Sequence, residues 1–123
     1  DTYMLESQIE SQRSYKRSSL LFYLQVAIRN TGKPVGRLVD ITPEGIRLVS
    51  EEGIPIDTTF EFRIILPEGF SGGEYLDVDA KCVWSKRTAN PKLVESGFML
   101  INGTDEQVEM IENLIAESGF SEY

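Results

Sequence analysis

The chain contains no histidine. Without an imidazole there is no Ser-His-Asp or Cys-His pair and no His-rich transition-metal site, which removes the commonest hydrolytic and metal chemistries. Its single cysteine, Cys82, excludes an internal disulfide and suits a reducing compartment. Long apolar runs are missing as well. The runs at 20–24 and 64–66 are far too short to span a bilayer or form a signal-peptide core, so a cytoplasmic protein without membrane insertion is expected. Basic residues are scarce: 12 Lys and Arg against 20 Asp and Glu give a net charge of −8. That balance disfavours DNA, RNA or an anionic membrane as a bulk partner. What remains is ordinary for one compact domain: 123 residues, 41% hydrophobic and 26% charged. A non-enzymatic binding domain is the leading class.

The charge is unevenly placed. Arg13, Lys16, Arg17, Arg29, Lys33 and Arg37 lie in a stretch, 12–39, that holds no acid. From residue 93 onward there are seven acids and no Lys or Arg. Screening confines surface fields to about 10 Å, so an acidic protein can still offer a basic pocket to a small anion. The simpler reading of the stretch is a solvated surface spread over two strands.

Residues 1–12 read as a flexible or short helical lead-in. Alternation then sets Leu20, Phe22, Leu24, Val26 and Ile28 on one face of a first strand. Turn chemistry at 30–33 leads to a strand at 35–41, and the turn Thr42-Pro43-Glu44-Gly45 to a strand at 46–50. Further strands are expected at 58–66, 75–85 and 93–101. In the 75–85 strand Leu76, Val78, Ala80, Cys82 and Trp84 point inward. Packing is the simplest role for Trp84, with ligand stacking the alternative. The period then changes: Thr104 and Gln107 fit a capping box, Val108, Ile111, Leu114 and Ile115 form a helical apolar stripe, and Gly119 is placed to end it. Six short strands and one amphipathic helix suggest a small antiparallel barrel plugged or flanked by that helix.

Several motifs fail on context. Gly69-Phe70-Ser71-Gly72-Gly73 matches a nucleophile elbow, but a strand follows it and no histidine base exists, so it reads as a hairpin loop. Asp77 and Asp79 share a strand face without further oxygen ligands, and read as a solvated surface. Asn102-Gly103-Thr104 is formally a glycosylation sequon and reads as a turn and helix cap. A single-stranded RNA platform built on Tyr15, Phe22 and Tyr23 is opposed by the net charge.

Two motifs remain: Arg13-Ser14-Tyr15-Lys16-Arg17, an R-x-x-x-R before the first strand, and Asp40-Ile41-Thr42-Pro43-Glu44-Gly45, a D-x-T-x-x-G after the second. With these motifs, and with Cys82-Val83-Trp84 and Ser96-Gly97-Phe98 further on, residues 13–120 resemble the PilZ domain family, bacterial receptors for the second messenger cyclic di-GMP. The resemblance implies a mainly β fold: a six-stranded antiparallel, split-barrel-like β-barrel with a C-terminal α-helix, as a single domain over 13–123. It also implies that Arg13, Arg17, Asp40, Thr42 and Gly45 bind cyclic di-GMP, with Lys16 and Trp84 as secondary contacts. No cofactor, metal or catalytic residue is expected. The implied partners are the ligand and a downstream protein, with the chain a monomer or homodimer. The alternative is a PilZ-fold interaction adaptor that does not bind the nucleotide, with the acidic helix around 106–117 as its docking face.

The residue types suit that ligand on chemical grounds. A guanidinium can grip phosphate in bidentate fashion, read guanine O6 and N7, or stack on a base. Asp40 can accept from guanine N1 and N2. The Thr42 hydroxyl can bond a base edge or brace its turn, and Gly45 allows close backbone approach or a positive φ. This sequence departs from the family pattern in having Thr42 where Ser is usual, and Gln12 where some members carry another arginine.

Overall fold

The computed structural model describes residues 24–118, and all structural statements concern these residues. Six strands follow one another: β1 (Leu24–Ile28), β2 (Pro34–Thr42), β3 (Gly45–Ser50), β4 (Thr59–Ile65), β5 (Tyr75–Arg87) and β6 (Val94–Ile101). They close into an antiparallel barrel in the order β1-β2-β3-β6-β5-β4, followed by α1 (Asp105–Ser118). This is the architecture expected from the alternating pattern and the resemblance.

Alternation builds the barrel because each strand presents every second side chain to the interior. Val26, Leu38, Ile41, Leu48, Phe62, Ile64, Ala80 and Cys82 are fully buried there. Phe62 is the centre of an aromatic group, stacked on Phe60 and edge-on to Phe98, both at 5.2 Å between ring centroids. Ile111 and Leu114 of α1 belong to the same buried cluster. A helix can reach the interior of a closed barrel only through an opening, so α1 covers one end. Its first turn is capped as expected, with Gln107 N–H donating to Thr104 Oγ1 at 3.1 Å. Residues 67–74 form a hairpin connection between β4 and β5, as read from the sequence, and Ser71 is tied to Glu117 of α1 by its backbone N–H and its hydroxyl. Burial pushes the Cys82 thiol above its ordinary pKa.

Asp77 and Asp79 are occupied by arginines on the outer wall. Arg63 donates to both oxygens of Asp77 at 2.8 and 2.9 Å, while Arg29 and Asn102 donate to Asp79 at 2.9 and 3.2 Å. No group of metal-ligating side chains is found among the described residues. The Arg63 hydrogen bond holds the Asp77 carboxyl below its usual range, with burial opposing it and the charges of Arg63 and Arg29 assisting. A depressed native pKa means that this contribution is full above the unfolded value, about 3.9, and fades as pH falls through the lower folded value. Urea denaturation between pH 2.5 and 6 should therefore show Asp77→Asn losing less stability on acidification than the wild type. Equal slopes would show that Asp77 makes no such contribution.

Candidate functional site

Two β-bulges determine what the outer face of the barrel displays. In β2, the register passes from Leu38↔Leu48 to Asp40↔Arg47, so Val39 is the extra residue and Asp40 turns outward beside Arg47. In β5 it passes from Cys82↔Phe98 to Trp84↔Gly97, so Val83 is extra. A bulge inserts one residue and reverses the face of those that follow it. Trp84 is thereby moved off the inward phase that strict alternation assigned to it. The core role expected from the sequence is corrected: Trp84 is half-buried on the outer wall.

The remaining register completes a row. Arg47 is the Cα partner of Gly97, so Asp40, Arg47, Gly97 and Trp84 lie side by side across β2, β3, β6 and β5. Gly97 is required at this point, because a Cβ there would lie 2.2 Å from Trp84 Nε1. The indole therefore rests directly over the Gly97 backbone, with Lys86 Nζ 5.4 Å from its ring centroid.

The turn between β2 and β3 borders the row. Thr42 Oγ1 accepts from the backbone N–H groups of Glu44 and Gly45, both at 3.2 Å. Bracing the turn is thus the role its hydroxyl performs, and the Thr for Ser departure preserves it. Gly45 answers to close approach rather than to positive φ: a Cβ would come within 2.7 Å of the Phe98 carbonyl oxygen. The Glu44 carbonyl then accepts from Leu100 N–H at 2.9 Å, tying the turn to β6.

Asp40, Thr42, Gly45 and Trp84, four of the residues singled out in the sequence, line one pocket of about 240 Å³ together with Arg47 and Val83. Arg13, Lys16 and Arg17 lie outside the described residues. Leu24, where the described chain begins, pairs with Leu38 immediately before the β2 bulge.

Arg47 was missed by the sequence reading. It bridges two carboxylates, with Nη2 donating to Asp40 Oδ2 at 3.3 Å and Nη1 to Glu95 Oε2 at 2.8 Å. Its position two residues after Gly45, on an alternating strand, was the available signal. The described cations of the acid-free stretch do not gather here. Arg29 is engaged by Asp79, while Lys33 and Arg37 border a larger hollow of about 590 Å³ with Ile28, Ile54 and Phe60. That hollow holds none of the motif residues, so side-chain chemistry rather than size locates the site.

The chain is thus a closed antiparallel barrel with a charged, aromatic-flanked pocket on its wall. The PilZ domain family model matches residues 11–117, and the chain belongs to that family, whose members are receptor and adaptor domains. Two solved structures share the fold. The PilZ domain of YcgR from Escherichia coli, solved with cyclic di-GMP, is 13% identical with a TM-score of 0.60, over 79% of this chain and 81% of that one. The Bacillus subtilis inhibitor of motility (MotI/DgrA) is 14% identical with a TM-score of 0.61, over 78% of this chain and 46% of that longer one. No curated protein matches the chain. Among the described residues, no helix is long and apolar enough to cross a membrane.

Proposed function

We propose that this chain is a non-enzymatic, cytoplasmic receptor module for cyclic di-GMP that signals to a partner protein. The observation that carries the reading is the convergence of Asp40, Thr42, Gly45 and Trp84 on one pocket, with Leu24, the first described residue, pairing with Leu38 two residues before Asp40. Family membership supports it, and so does the ligand named for the YcgR structure. Asp40 would accept from guanine N1 and N2, and the Trp84 ring would stack on a base. Arg13 and Arg17 would grip phosphate or base edges from the other side. Arg17 precedes Leu24 by seven residues, so its tether extends no more than about 25 Å. Fixing that segment over the ligand would change the surface a partner reads.

Trp84 is the only tryptophan, so its emission reports on the pocket without a label. Titration with cyclic di-GMP should change Trp84 fluorescence saturably and release heat in a calorimeter, with cyclic di-AMP giving a much weaker response. No signal from either method at ligand concentrations near 100 μM, on the order of a weak messenger affinity, would sink the receptor reading and leave the adaptor alternative.

A further inference from the structure

Guanine presents three neighbouring groups on the edge that Asp40 would face: an acceptor at O6, a donor at N1 and a donor at N2. A carboxylate complements the two donors and leaves O6 unanswered. Adenine offers a donor at N6 and an acceptor at N1 in the corresponding places. A site that discriminates strongly between the two bases therefore needs a fixed donor beside the carboxylate, because an unpaired buried polar atom is what makes the wrong base costly.

Arg47 stands where that donor is needed. It is the direct cross-strand partner of Asp40 and already donates to it through Nη2 at 3.3 Å. A guanidinium has five N–H donors. Two are engaged by Asp40 and Glu95, which leaves three not used by the described residues. Glu95 accepts from Nη1 at 2.8 Å, so the guanidinium is shared between two carboxylates, and Asp40 Oδ1 also accepts from Ile41 N–H at 3.0 Å. On the far side of Arg47 the row continues as Gly97, which has no side chain, and the indole of Trp84 lying over it. A base stacked at that indole and turned toward Asp40 brings its edge to Arg47 as well.

We infer that Asp40 and Arg47 act as a single guanine reader: Asp40 accepts from N1 and N2, Arg47 donates to O6, and Glu95 holds the guanidinium in position. The inference rests on the cyclic di-GMP reading above and adds to it a residue that lies in neither motif. Arg47 determines selectivity between guanine and adenine, whereas Arg13 and Arg17 supply grip on the ligand as a whole.

The test compares cyclic di-GMP with cyclic di-AMP on four proteins: wild type, Arg47→Met, Arg47→Lys and Arg63→Met. Arg63 is paired with Asp77 outside the pocket and controls for the loss of one positive charge. Arg47→Met should weaken cyclic di-GMP about 10- to 100-fold, the range for one good base-edge contact. It should leave cyclic di-AMP unchanged or tighter, so that the selectivity ratio collapses. Arg47→Lys, which keeps one donor, should fall between, and Arg63→Met should match the wild type. Thermal melts confirm folding, and Arg47→Lys carries the test if the methionine protein is unstable. An unchanged selectivity ratio, or equal losses for both nucleotides, would overturn the guanine reader while leaving the receptor reading intact. A wild type that binds neither nucleotide would overturn both.

Discussion

Replacing Arg13 and Arg17 together with alanine is expected to weaken cyclic di-GMP binding by roughly 100- to 10,000-fold while leaving the melting temperature of the barrel unchanged. Each guanidinium would make charge-assisted contacts to phosphate or guanine, worth about 1.5–3 kcal/mol apiece. The two arginines are four residues apart, so on one ligand they act on neighbouring groups and their losses need not add. Calorimetry on the single and double variants measures that coupling. Each single change should cost about 10- to 100-fold, with the double variant at or beyond the limit of detection. The barrel core lies within residues 24–118, so thermal unfolding separates a lost contact from a lost fold. A double variant that binds within threefold of the wild type would remove the arginine segment from the mechanism.

Phe62→Ala is expected to have the largest effect on the barrel itself, lowering the unfolding free energy by about 3–5 kcal/mol, the usual range for emptying a buried aromatic position. Phe62 has no exposed surface and contacts both Phe60 and Phe98 through their rings. Deleting the ring forfeits its transfer energy and leaves a cavity that the closed hydrogen-bonded wall cannot collapse to fill. Chemical denaturation should show the loss as a lower midpoint at an unchanged slope. The damage should also extend outward, because Phe98 borders the pocket and its carbonyl packs against Gly45. A loss below about 1 kcal/mol would show that the neighbouring rings close the gap, and that the core is more plastic than its packing suggests.

Much of this architecture was legible in period-two alternation, because a barrel wall must sort its side chains between core and solvent. The inward set of Leu24, Val26, Phe62, Ile64, Leu76 and Val78 followed directly. So did the helix cap at Thr104 and the change of period that follows it. The motif turn was legible because Thr42 and Gly45 serve local needs, bracing a turn and admitting a neighbouring strand. What alternation cannot express is its own interruption. The phase of Trp84 was wrong because Val83 is one residue too many for the ladder, and a single surplus residue has no compositional mark. Arg47 was overlooked for a related reason. An arginine on an outer strand face looks like surface, and only the register that sets it between Asp40 and Glu95 gives it a partner on each side.

The two bulges have a consequence for how recognition arises on such a barrel. Val39 and Val83 are each the length of one insertion, and each shifts the frame of the strand that carries it. Pair the same residues in strict alternation, with neither valine left out of the ladder, and Asp40 or Trp84 would return to the interior phase with no substitution at any ligand-facing position. The row displayed on this scaffold is thus set by strand register as much as by side-chain identity. Two PilZ barrels with the same motif letters can then differ in what they display, and the register of the ladder between Leu38 and Ile41, and between Cys82 and Ser85, tells them apart.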